Sequence, residues 1–338
     1  MEEKNKLSAK MEEQITEKLS DAFESVVKQK NEYYQNNPQK IPEIGSTGKL
    51  ISSAALTNSA ISGGASLIPG PYGMLAVVPE IILVTRNQIS LIYDIAAAHG
   101  KRDLMTKELA AMVFVSAMGS GAGSLLVVHG GKYLVRRTSL RVFQRLVTAL
   151  GGKITQQALK STISKWLPGV GAAAMAAWTN YLTRQIGKKA TEIFSSELEF
   201  EDNIIDIELI EEKENSPAED GSKKSNDYYK IQALSNLMKI DGKSDEEELA
   251  LIASTIEQSN LTPEEKISLI SNISSTETKL EGIEIIADSP SESISLIAEM
   301  IALAKADGKI HITEKLYIKQ VGKMLGFSDS DIEEMISA

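Results

Sequence analysis

Three stretches of this chain carry no charged residue: Leu50–Pro79, Leu109–Gly131 and Trp166–Thr183. Segments that long and uncharged must be covered by protein or by lipid, so the fold has to be organised around them. All three are rich in glycine, alanine and serine, a composition that lets helix backbones approach closely. The first breaks at Pro69, Gly70 and Pro71 and reads as a helical hairpin whose second arm runs on through IILVTRNQISLIYDIAAAHG, with Gly100 as its C-terminal cap. The second contains Gly119, Gly121 and Gly123; the third opens at Pro168–Gly169 and continues as VGAAAMAAWTNYLT.

Crossing about 30 Å of hydrocarbon takes about 20 apolar residues. The first run is interrupted, the second holds five glycines, and the third offers only a short uninterrupted helix. Buried core helices, hairpin-like insertion and full spanning all remain open, with core helices the reading the composition favours. Upstream, Leu7, Met11, Ile15, Leu19, Phe23 and Val27 recur every four residues, predicting an amphipathic helix that docks on a partner surface. The start, MEEKNKLSAKMEEQ, has no apolar core of a secretory signal, so export by that route is not expected.

Charge divides the chain. Residues 1–195 hold 23 Lys+Arg and 14 Asp+Glu, whereas residues 196–338 hold 13 and 32, out of a net −10. With 338 residues and this asymmetry, two domains with different partners are expected. Zero cysteines exclude disulfides, thiolate metal sites and a cysteine nucleophile. No phosphate-binding loop, G-x-S-x-G elbow or H-E-x-x-H motif occurs, and His99, His129 and His311 sit at helix ends or turns, so no enzyme and no organic cofactor is expected.

The acidic half repeats itself. An offset of 66 residues places LSNLMKIDGKSDEEE on MIALAKADGKIHITE, and Leu261-Thr262-Pro263-Glu264-Glu265 on Phe327-Ser328-Asp329-Ser330-Asp331. Thr262 and Ser328 are read as N-caps with an acid three residues on. The D-G-K-x-x-x-x-E string resembles the latter half of an EF-hand loop, but Leu237, Lys239, Leu303 and Lys305 stand where oxygen ligands are required, so EF-hand calcium binding is rejected. Two readings stay open. The string is a helix-turn-helix connector, with a turn glycine, a cap at Asp245 or His311, and Glu248 or Glu314 closing the capping box. Alternatively, two such turns bring Asp241, Glu248, Asp307 and Glu314 together as a site for Ca²⁺ or Mg²⁺.

These tandem motifs in an acidic, all-helical stretch of about 110 residues resemble the tellurite-resistance TerB-like family. The resemblance implies a compact bundle with an acidic, metal-binding surface, carried onto Asp241, Glu248, Asp307 and Glu314, with Asp245 and Glu247 as extras. Ser244 and His311 depart from the motif and make the two copies unequal. The segments IPGPYGMLAVVPEIILVTRNQISLIYDIAAAHGK and WLPGVGAAAMAAWTNYLTRQIGKKATEIF resemble the EcsC-like family over residues 45–195, which implies an association with membranes.

Residues 128–195 concentrate positive charge, including Lys132, Arg136, Arg137, Arg141, Arg145, Arg184 and Lys188. Arg137, Arg141 and Arg145, four apart, predict one helical stripe. A solvated face is the plain reading; anionic lipid headgroups are the functional one, with Trp166 beside the basic residues as an interfacial anchor. Nucleic acid is disfavoured, since aromatics do not interleave with the bases. A third option is internal, the acidic half covering the basic one. The expected architecture is therefore all-α: an amphipathic N-terminal helix and linker (1–44), a glycine/alanine-rich EcsC-like bundle (45–195), an acidic linker (196–227), and a duplicated helix-turn-helix TerB-like bundle (228–338). The expected role is a non-enzymatic stress or defence protein, cytoplasmic and peripheral to the inner face of the membrane, with an anionic membrane surface and a partner protein as its partners; a membrane-perturbing effector is the alternative.

Overall fold

The computed structural model describes residues 2–62, 71–118, 125–160, 170–205, 224–240, 261–273, 282–287, 290–305 and 309–337, with 253, 256, 257, 259 and 280 singly. The fold is all-α, with one small three-stranded sheet among the described residues. The chain forms two compact units, residues 1–159 with 179–215, and residues 160–178 with 216–338.

In the first unit, α1 (Glu2–Asn36) presents Met11, Ile15, Leu19 and Phe23 at one-turn spacing, each at most 1% exposed. The helix expected to dock on a partner docks instead on this chain. It packs along α3 (Pro71–Ala98) and on α4 (Lys107–Ala117). Phe23 meets Phe114 of α4 and Phe143 of α5 (Leu140–Lys160) edge-on, at 6.0 and 6.3 Å. Near its C-terminal end, Lys30 and the Tyr34 hydroxyl both bind the Asp94 carboxylate of α3, at 2.8 and 2.7 Å. The N-terminal segment is thus part of the first unit's core.

The hairpin predicted around residues 50–100 is present as α2 (Thr47–Ile61) and α3. At its end Gly100 takes φ 71°, and the Lys101 and Gly100 amides close back on the Ala96 and Ala97 carbonyls, the capping pattern that a left-handed glycine permits. Residues 63–70 and the glycine cluster at 119–123 lie outside the described residues.

A buried polar seam joins the hairpin to α6 (Val170–Ser195). Thr183 accepts from Asn58 and Gln88, at 3.1 and 2.9 Å, and donates to the Thr179 carbonyl at 2.8 Å, so its hydroxyl is fully used. Ser62 adds a contact to the Thr179 hydroxyl at 2.8 Å. One turn further on, Gly187 lies against Ile51: a Cβ there would fall 2.5 Å from its Cγ1, so the two helices meet at a distance that only glycine allows.

The sheet departs from the expected helices. Leu126–His129 (β1) and Lys132–Thr138 (β2) form a hairpin around Gly130–Gly131, whose φ values of 60° and 82° suit a two-residue turn that L-residues with a Cβ avoid. Glu197–Ile205 (β3) pairs with β2 in parallel, giving the order β1-β2-β3. Residues 197–205, expected within an acidic linker, are therefore part of the first unit. The stripe predicted from Arg137, Arg141 and Arg145 is also divided: Arg137 is on β2, and the helix begins only at Leu140, after Ser139 accepts the Val142 amide at 3.3 Å.

The second unit contains α7 (Asn226–Lys239), α8 (Pro263–Ile273), the one-turn α9 (Glu284–Ala287), α10 (Pro290–Ala304), α11 (Ile312–Met324) and α12 (Asp329–Ser337). The 66-residue repeat is visible in it, since α7 corresponds to α10 and α8 to α12. Thr262 and Ser328 cap as expected: each hydroxyl accepts the amide three residues on, while Glu265 and Asp331 accept the cap amides at 2.9 and 3.1 Å. Asn226 and Glu292, equivalent positions in the two copies, touch at 2.9 Å. The starts of the two corresponding helices, α7 and α10, therefore lie against each other.

Candidate functional site

The proposed cation site falls largely outside the description. Asp241, Glu248 and Asp307 lie outside the described residues, as do Asp245 and Glu247. Glu314, half-buried in the first turn of α11, accepts the His311 backbone amide at 2.7 Å and so closes the start of its own helix. Among the described residues, no group of three His, Asp or Glu side chains is placed to hold a metal.

What the sequence does not reveal is a buried ionic cluster between α7 and α10. Lys230 of α7 and Glu292 and Glu299 of α10 are 6%, 6% and 4% exposed. Lys230 stands 3.6 Å from Glu292, which also receives Asn226; Glu299 receives the Ser295 hydroxyl at 3.0 Å. Burial pushes the Glu299 carboxyl up to about 7, against the opposing pull of Lys230 and the Ser295 hydrogen bond. The nearby negative charges of Asp227 and Glu292 add to the upward push. A second carboxylate has the opposite fate. Glu265 accepts the amides of Ser225 at 2.6 Å and Thr262 at 2.9 Å; burial pushes it upward, but these hydrogen bonds outweigh that and hold it below the usual carboxylate value. It ties together the first turns of α7 and α8.

The basic candidates are distributed over three elements. Lys132 on β2 binds Glu199 at 2.6 Å and Glu197 at 3.1 Å, hydrogen bonds that raise its ammonium above the ordinary lysine value; Arg136 binds Glu201 at 3.2 Å. Trp166 and the side chain of Arg137 lie outside the described residues. Arg141 and Arg145 are exposed one turn apart on α5, whose other face buries Val142, Phe143, Leu146, Val147 and Leu150. Leu140, 60% exposed, lies beside them. On α6, Arg184 is half-buried and donates to Asn180 at 2.8 Å, and Lys188 is exposed.

The structure thus brings Lys132 and Arg136 together on the sheet, and Arg141 and Arg145 together on α5, as two separate basic places. Within α3, Val78–Ala98 is long and apolar enough to cross a bilayer by length and composition, although 56% of its most apolar stretch is buried inside the protein.

Comparison with the curated proteins and with the solved structures gives no match. Residues 230–336, from the first turns of α7 to the last turn of α12, match the family model described as tellurite resistance protein TerB, and this C-terminal part of the chain is accordingly TerB-like.

Proposed function

We propose that this chain is a non-enzymatic, membrane-associated protein of stress or defence, cytoplasmic and peripheral to the inner face of the membrane. In this reading the TerB-like domain senses a divalent cation or a partner protein, and the helical first unit, EcsC-like over residues 45–195, carries that state to an anionic membrane surface. The observation that supports it best is the outer face of α5, where Leu140, Arg141 and Arg145 are exposed together while Val142, Phe143, Leu146, Val147 and Leu150 are buried on the other side. An exposed leucine beside two guanidinium groups suits the headgroup boundary, where each basic residue contributes about 1 kcal/mol.

Flotation with phosphatidylglycerol-containing vesicles tests it. The full chain is expected to float with anionic vesicles and not with neutral ones, and R141Q/R145Q to lose at least half of that binding. Undiminished flotation of the variant removes α5 as the docking face. The same assay with an entrapped dye addresses a membrane-perturbing effector, a reading favoured by the apolar length of Val78–Ala98 and by a seam of hydroxyl and amide contacts that would hold α2, α3 and α6 together in lipid. Binding without leakage supports the peripheral role, and leakage supports the effector.

A further inference from the structure

The small sheet has two outer edges. In the order β1-β2-β3, β1 and β3 each pair on one side alone among the described residues. The two edges differ in charge. β3 carries Glu197, Glu199 and Glu201, so two copies of it laid together would set like charges against each other. β1 is Leu126-Val127-Val128-His129, without acid, lysine or arginine, and it has neither the proline nor the bulge that commonly protects an exposed edge. Val128 is 60% exposed, although it lies on the strand face that buries Leu126, Tyr133 and Val135.

The register settles which backbone groups point outward. The Arg136 amide donates to the Leu125 carbonyl at 3.2 Å, so Leu125–Arg136, Val127–Leu134 and His129–Lys132 are the hydrogen-bonded pairs, and the amides and carbonyls of Leu126 and Val128 turn away from β2. From this edge we infer that β1 pairs antiparallel with β1 of a second copy of the chain, joining the two sheets into one. The twofold axis passes between the two Val127 residues. Leu126 then exchanges both backbone bonds with the second copy's Val128, the symmetric pair does the same, and every outward group of Leu126 and Val128 is satisfied. The exposed Val128 comes to lie opposite the second copy's Leu126, apolar against apolar, and no charged side chain of β1 enters the contact. The same strand is thus its own complement, which β3 with its carboxylates is not. Four backbone hydrogen bonds and one covered valine per chain make a contact far smaller than that of a standard stable interface, so the association is weak and depends on concentration.

Sedimentation equilibrium of the full chain from about 1 to 500 μM tests this, and the mean mass should rise from one chain toward two. V128P removes an outward N–H and no bond to β2; it costs the dimer two hydrogen bonds and should weaken association by at least about tenfold. V127K sets two ammonium groups face to face across the axis and serves if V128P does not fold. V127E should weaken association likewise, whereas an equimolar mixture of V127K and V127E should recover it as mixed dimers. Because the chain has no cysteine, V127C supplies one thiol per chain. Facing residues of a non-hydrogen-bonded antiparallel pair have Cα atoms about 4.5 Å apart, within disulfide range. Mild oxidation should therefore link V127C chains much faster than S53C chains, whose thiol is exposed on α2. A single-chain mass over the whole range overturns the pairing. So does association that V128P and V127K leave unchanged, a V127K/V127E mixture no more associated than either variant alone, or equal linking of V127C and S53C.

Discussion

Glu299 makes the stability of the TerB-like domain depend on pH in an uncommon direction. In the unfolded chain its carboxyl titrates near 4.5; folded, it titrates near 7. Below 4.5 both states hold the proton and the residue is neutral toward folding. Between 4.5 and 7 the unfolded chain loses the proton while the folded domain keeps it, so stability falls as pH rises, and above 7 the full penalty stands. At 1.36 kcal/mol per pH unit the interval corresponds to about 3 kcal/mol. E299Q keeps an oxygen for the Ser295 hydroxyl and removes the ionisation. Its expected signature is a change of slope: near pH 4.5 the variant matches wild type, because Glu299 is itself neutral there, and by pH 8 it is more stable by up to about 3 kcal/mol. Amide hydrogen exchange of α7 and α10 in the full chain, corrected for intrinsic rates, reads this domain separately from the first unit. Parallel stability curves for the two proteins from pH 4.5 to 8 would refute the assignment of a buried, protonated Glu299.

Three further perturbations have signs set by the geometry. G187A drives a methyl into Ile51 and should destabilise the first unit by about 1–3 kcal/mol; adding I51A should restore most of it, as read by urea denaturation. F23A removes the ring that Phe114 and Phe143 share, and should cost about 3–5 kcal/mol in the same assay. E265Q removes the charge that receives two cap amides; it should destabilise the second unit by about 1–3 kcal/mol at pH 7. Because the folded pKa of Glu265 is depressed, that contribution is present above 4.5 and disappears as the pH falls through the folded value, so the two proteins should converge in acid.

Helix ends were the most legible part of this sequence. A cap is a local arrangement of three or four residues, and Thr262-Pro263-Glu264-Glu265, Ser328 with Asp331, and Gly100 each form the contacts their residue types predict. The duplication was equally plain, because matched turns at a constant offset need no tertiary knowledge. The sheet was overlooked although its signal was present. Glu197-Leu198-Glu199-Phe200-Glu201 and Lys132-Tyr133-Leu134-Val135-Arg136 alternate with period two, and a Gly-Gly pair precedes the second. The absence of charge up to Gly131 and a chance four-residue spacing of arginines mimic a helical pattern over the same stretch. The cluster of Lys230, Glu292 and Glu299 could not have been found by pattern. Acids at positions 292 and 299 of a helix read as a solvated face until a second helix places a buried lysine against them.

The Phe23 cluster also governs how this chain can be made. The ring that fills the centre of the first unit is synthesised early, yet the rings it rests against belong to residues 114 and 143. At about 5–20 residues per second, the intervening stretch takes on the order of ten seconds to emerge. Until residue 114 emerges, the apolar side of α1 has neither of these native aromatic contacts. Completion waits longer still, for Thr183 to reach Asn58 and for Glu197 to reach Lys132. A holding chaperone would find its target in the apolar side of α1, which is made long before its partners.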